Sequence, residues 1–200
     1  VSSSAASDLV SRALLYSPDF PLYIVAIGAV TNVASAILLN PAIRDNIVLV
    51  WLGGNAHEFG TAEFNMKGDM AAARVVFGLS CPLVQLPCMG VVSSFTISCP
   101  ELRFWLSGKN ALSDYLAEST IREAARYAAN SPWTRVIWDV TAVAWLLNDK
   151  DRFMTSRVVR APMPEYNGLY AENPNGIFMR YVNYIKRDAL MEDLIKKLTL

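Results

Sequence analysis

The residues best suited to chemistry stand in one polar stretch, GGNAHEFGTAEFN at positions 53–65, directly after the apolar run IVLVW. Glu63 and Asn65 are two apart. In an extended segment they point the same way, with Phe64 between them to anchor the loop in the core. A carboxylate beside an amide accepts from and donates to hydroxyl groups, so recognition of a small sugar is a natural use. The competing use is a loop whose polar side chains bond their own backbone. Asp139 follows RVIW and precedes a helical pattern. It suits a helix cap, or one oxygen ligand of a hard cation such as calcium, which takes 6–8 oxygens; a single aspartate cannot hold that ion. His57 is the sole histidine, which excludes any mechanism needing two. Its ordinary pKa near 6.5 allows it to act as an acid, although a lone loop histidine is more often a solvated side chain.

These residues need a scaffold that brings them together. Residues 3–15 have helical spacing, ended by Pro18 and Pro21. Residues 22–27 read as a buried strand, Gly28 permits a turn, and Thr31 or Asn32 can cap a helix over 33–39. Residues 47–51 form the next strand, closed by Gly53 and Gly54. Asp69 caps a helix over 70–77, and residues 82–86 form a third strand. Apolar runs alternating with helices predict a parallel sheet covered on both faces. Helices follow over Ala111–Ala128 and 141–147, then strands near 157–161 and 177–181, then a closing helix over Arg187–Leu198. With no repeat and no flexible linker, residues 1–200 read as one α/β domain. Ligands of open α/β sheets bind beyond the carboxyl ends of the strands. That rule selects positions 28–32, 53–65, 87–94 and the Trp138–Asp139 junction, if a strand precedes it.

Composition removes several classes. The chain is 53% apolar and 18% charged, with 18 basic and 18 acidic residues. Disorder is excluded, and no basic stripe points to a nucleic-acid polymer. Residues 22–43 and 75–100 carry no charge, but Gly, Pro, Asn and Ser/Thr interrupt both, so neither reads as a membrane span. The N-terminal stretch lacks the pattern of a signal peptide. Cys81, Cys88 and Cys99 form no metal or disulfide motif and read as buried free thiols. A cytoplasmic protein is expected.

The ordered segments IVAIGAVTNVASAILLNP, VLVWLGGN, AEFNMKGDMAAARVVF, WDVTAVAWLL and RDALMEDLIKKL resemble, in sequence order, the inosine–uridine-preferring nucleoside hydrolases. The resemblance spans nearly the whole chain. It implies a largely parallel open α/β sheet with helices on both faces, and hydrolysis of the N-glycosidic bond of a ribonucleoside to ribose and free base. It further implies a calcium ion bound by the Thr31 carbonyl and the Asp139 carboxylate, and ribose held by Glu63, Asn65 and Asn55.

Three departures accompany the resemblance. The family's N-terminal aspartate cluster, source of the general base and most calcium ligands, has no counterpart here. The N-terminal strands are thus expected to be missing, as in a fragment, a truncated product or a decayed relative. Trp138 stands where many members carry a histidine, as in the purine-preferring branch, so base stacking by Trp138 and purine nucleosides are expected. The loop before Glu63 is short, which makes Asn55 the candidate for a further ribose contact and leaves His57 as a rival for the cavity. The alternatives are a nucleoside- or ribose-binding remnant without catalysis, and a structural partner. Residues 22–27 should form an exposed apolar edge, which predicts a homo-oligomer.

Overall fold

The computed structural model describes residues 2–78 and 81–200. Leu79 and Ser80, within the charge-free stretch 75–100, lie outside the described residues.

The first half alternates as its apolar runs predict. Helix α1 (Ser4–Ala13) is followed by β1 (Leu22–Ala26), α2 (Thr31–Leu39) and β2 (Ile47–Leu52), then α3 (Phe64–Gly68), α4 (Met70–Gly78) and β3 (Leu83–Leu86). The second half holds β4 (Thr96–Ser98), α5 (Cys99–Trp105), α6 (Ala111–Ala128), β5 (Thr134–Val136) and α7 (Val140–Trp145). It ends with β6 (Met154–Arg160), β7 (Met163–Pro164), β8 (Tyr170–Ala171), β9 (Phe178–Ile185) and α8 (Arg187–Leu198).

Five strands make the main sheet in the order β1-β2-β3-β9-β6. The first three junctions are parallel, and β6 pairs antiparallel with β9 at the far edge. Strand β2 explains why its sequence shows no polar alternation. Leu49 and Trp51 enter the core under α1, α2 and α4, while Val50 and Leu52 enter the core under α5, α6, α7 and α8. Both faces are covered, so every position from Leu49 to Leu52 must be apolar.

Local signals set several helix starts. Ser3 Oγ accepts from the Ala6 N–H at 3.1 Å. Asp69 Oδ1 accepts from the Ala72 N–H at 2.9 Å, the expected cap of α4. Ser98 and Glu101 form a capping box on α5. Two expected caps are absent. Helix α2 begins at Thr31 itself, after Val30, with no side-chain cap; the Thr31 hydroxyl instead donates to Asp69 Oδ2 at 2.7 Å, tying α2 to α4. Asp139 precedes α7 but is already helical in backbone angle (φ −73°, ψ −28°), which keeps its carboxylate from any capping bond. Cys81 and Cys88 are buried, as expected; Cys99, at the first position of α5, is only partly so. Among the described residues no helix is long and apolar enough to cross a membrane.

Candidate functional site

A cavity of about 520 Å³ lies beyond the carboxyl ends of β1, β2 and β3, where parallel α/β sheets place ligands. Its floor comes from the residues that follow or end these strands: Ile27 after β1, Leu52 closing β2, and Cys88 and Met89 after β3. Asn55, Ala62, Glu63, Phe64, Asn65, Trp138 and Asp139 complete it. The loop 53–65 and the Trp138–Asp139 junction, far apart in sequence, therefore share one cavity.

The turn after β2 is tightly specified. Trp51 Nε1 donates to the Gly28 carbonyl at 2.9 Å, bracing β2 against the end of β1. A Cβ on Gly53 would strike the Trp51 ring at 2.2 Å. Gly54 has φ +71°, and a Cβ there would lie 2.2 Å from Tyr170 Oη. Glycine is thus required twice. Asn55, only 5% exposed, has its Oδ1 fixed by the Met89 N–H at 3.1 Å. No bond from its Nδ2 to a described residue occurs. No buried side-chain nitrogen or oxygen among the described residues lacks a partner, so this nitrogen keeps some contact with solvent, on a residue that lines the cavity.

Glu63 and Asn65 are not displayed from an extended loop, as expected, but from the start of α3. Glu63 is the N-cap: Oε2 accepts from the Gly54 N–H at 2.8 Å and the Met66 N–H at 2.9 Å, and Oε1 from the Asn65 N–H at 2.8 Å. The backbone-bonding use of this carboxylate is therefore realised, with one Oε1 lone pair left over. Asn65 Nδ2 donates to the Leu52 carbonyl at 2.9 Å, leaving its Oδ1 without a partner among the described residues. Phe64 does not anchor the loop: it is 90% exposed at the rim, because the helical turn rotates it away from the core.

Trp138 and Asp139 do not leave a strand of the main sheet. They follow β5, which among the described residues pairs only with β4, in a two-stranded ribbon. The Ile137 N–H donates to the Phe95 carbonyl at 2.9 Å, and the buried Thr141 hydroxyl donates to the Trp138 carbonyl at 2.7 Å. The Asp139 carboxylate accepts no hydrogen bond from the described residues, and partial burial raises its pKa. Cys88, expected as a buried core thiol, lines the same cavity as the two acids. Burial first, then the Glu63 and Asp139 carboxylates, push its thiol far up, so it stays neutral. Its place just after β3 was the available signal.

His57 does not line the cavity and is half-buried. It packs between Tyr170 and Tyr181, ring centroids 4.9 and 4.7 Å away, and burial lowers its pKa. Of the two rivals, Asn55 faces the cavity. Thr31, exposed in the first turn of α2, is not among the lining residues. Among the described residues no three His, Cys, Asp or Glu side chains gather as a metal site. With Glu63 already taking three N–H donors, Asp139 is the one unpartnered carboxylate of the cavity among the described residues, too few ligands for calcium. A larger cavity of about 660 Å³, near Tyr23, Trp145 and Arg180, contains none of the residues singled out in the sequence.

A family model described as inosine-uridine preferring nucleoside hydrolase matches residues 1–173. The pyrimidine-specific ribonucleoside hydrolase RihB of Escherichia coli O1:K1 / APEC is 31% identical over 145 residues, which cover 67% of this chain and 44% of that protein. The chain thus spans about half the length of the curated relatives it matches, or less. Among solved structures, a purine-preferring ribonucleoside hydrolase from Gardnerella vaginalis superposes with a TM-score of 0.79 at 18% identity, covering 100% of this chain and 66% of that one. A plant nucleoside hydrolase, PpNRh1, gives 0.80 at 18%, covering 98% and 66%. The last two establish the fold. Together with the matched 173 residues, they place the chain in the inosine-uridine preferring nucleoside hydrolase family.

Proposed function

We propose that this chain forms the sugar- and base-holding wall of a site that hydrolyses the N-glycosidic bond of ribonucleosides, giving ribose and free base. The observation that carries the reading is the set of unused polar atoms in one cavity: Asn55 Nδ2 as donor, with Asn65 Oδ1, the Asp139 carboxylate and one Glu63 lone pair as acceptors. One donor among several acceptors suits a polyhydroxylated ligand, whose hydroxyls both donate and accept. Asn55, Asn65 and Glu63 are each already bonded to backbone through their other polar atoms, so that part of the wall is preorganised.

Trp138 supports a purine as the base. A fused bicyclic ring covers more of an indole face than a single ring does. The opposing reading, a pyrimidine, draws on the 31% identical relative, which is a pyrimidine-specific ribonucleoside hydrolase. Calcium is the metal that the family resemblance implies. Among the described residues only Asp139 offers the cavity a free carboxylate, and Thr31 lies outside its lining, so these residues by themselves do not fit the ion.

A second reading is a nucleoside- or ribose-binding protein without hydrolysis. The single unpartnered carboxylate favours it. Titration with ribose, inosine, guanosine, uridine and cytidine, followed by measurement of reducing sugar released, separates the readings. Saturable binding of ribose and nucleosides, weakened at least tenfold by Asn55→Ala, is expected. Absence of binding to all five ligands would sink the proposal. Binding without sugar release selects the second reading.

A further inference from the structure

Strand β3 reads LVQL, and all four residues are buried. An amide in such a strand is costly unless its polar atoms find partners. Gln85, with 0% exposure, finds them in the turn that carries Asn55. Its Nε2 donates to the Gly53 carbonyl at 3.1 Å and to Tyr170 Oη at 3.4 Å. Tyr170 Oη in turn donates to the Asn55 carbonyl at 3.3 Å. Since the Gln85 nitrogen is committed to donating, its Oε1 must accept, and His57 Nε2 stands 3.3 Å away to donate. The bonds run one way, from the imidazole through the amide and the phenol to the main chain of Asn55.

This chain accounts for two of the three carbonyls of the turn: Gly53 is held by Gln85 and Asn55 by Tyr170, while Gly54 is held by the Cys88 N–H at 2.7 Å. Tyr170 also limits the turn by contact, since Gly54 leaves no room for a Cβ beside its hydroxyl. None of His57, Gln85 and Tyr170 lines the cavity. A buried polar network under a glycine turn is more than packing requires, because apolar residues would fill the same volume without partners to satisfy.

We propose that Gln85, Tyr170 and His57 are positioning residues that fix the turn at 53–55 so that Asn55 Nδ2 is presented to the sugar of a bound nucleoside. The proposal rests on the reading of the cavity as a ribose site. Its test uses two readouts on the full 200-residue chain. The first is the side-chain amide NMR signals of Asn55 in the ligand-free protein, assigned with Asn55→Asp. The second is the affinity for ribose and inosine, with the melting temperature alongside.

Tyr170→Phe removes one oxygen and keeps the ring. It is expected to move the Asn55 side-chain signals and to weaken ribose and inosine binding at least fivefold. His57→Phe should do the same, while His57→Gln, which restores an N–H donor, should recover most of the affinity; this pair keeps the test available should Tyr170→Phe not fold. Unmoved Asn55 signals in folded Tyr170→Phe or His57→Phe overturn the proposal. So does a lowered melting temperature with unchanged ligand affinity, the mark of a purely structural role. If the wild type binds neither ribose nor inosine, the ribose reading fails by itself, and the Asn55 signals still report whether the network holds the turn.

Discussion

Glu63 and Asp139 line one cavity, and their carboxylates are held in opposite ways: Glu63 accepts three backbone N–H groups, and Asp139 accepts none from the described residues. The first acid is part of the scaffold, and the second is free for a ligand. Glu63→Ala is expected to lower folding stability by about 1–3 kcal/mol, the cost of a lost cap and of unpartnered N–H groups. Asp139→Asn should change stability by less than about 0.5 kcal/mol and weaken nucleoside binding instead. Urea unfolding and ligand titration of the two variants check the contrast.

Gly54→Ala should be more damaging than a glycine replacement in an ordinary loop. It combines a left-handed backbone angle of +71° with a Cβ placed 2.2 Å from Tyr170 Oη. A loss of about 1–3 kcal/mol is expected from strain and overpacking. The double variant with Tyr170→Phe should recover part of it, since the phenol oxygen is the nearest atom in the way, ahead of Met66 Cε at 2.7 Å. A thermal-unfolding double-mutant cycle measures that recovery.

His57 gives the fold an acid-side weakness. Burial lowers its pKa in the folded state below the ordinary value of 6.5, so between the two values the unfolded chain binds the extra proton. Stability then rises with pH across that window and is lost as pH falls below about 6.5. The hydrogen bond to Gln85 and then the Glu58 charge oppose the shift, and Arg157 adds to it. The melting temperature of wild type should fall more steeply below pH 6.5 than that of His57→Gln. Parallel profiles for the two proteins would contradict this.

Trp138 should matter for the base and not for the sugar. Trp138→Ala is expected to weaken inosine binding by about 0.5–1.5 kcal/mol beyond lost contact area, and to leave ribose binding unchanged. Calorimetric titration with both ligands checks it. Equal losses for both would instead mark Trp138 as support for Asp139.

Strand β1 lies at an edge of the sheet and pairs only with β2 among the described residues. Its Tyr23 is 52% exposed, and Phe20 and Ile27 beside it are also open. An apolar edge of this kind pairs readily with another chain. Sedimentation of the chain should reveal species heavier than 22.1 kDa, and Tyr23→Lys should shift the population toward monomer. A wild type that sediments as monomer at all concentrations would refute the expected homo-oligomer.

The parallel core was legible because strands covered on both faces must be apolar throughout, and the runs at β1, β2 and β3 say so without knowledge of their neighbours. The cap of α4 at Asp69 and the glycine pair after β2 were legible for a similar reason: each answers a local backbone need. The grouping of Asn55, Glu63, Asn65, Trp138 and Asp139 followed from strand ends and from family resemblance. Tertiary structure alone decided what each of them does there. It turned Phe64 outward, spent Glu63 on backbone donors, left Asp139 uncapped, and moved His57 from the cavity into a pocket of tyrosines. It also set β6 antiparallel to β9, through pairing that no local pattern encodes. The reason is reach: the Asn55 carbonyl is held by a tyrosine 115 positions away, and bonds over such distances depend on the packed fold, whereas patterns of apolarity and glycine record only what each segment needs for itself.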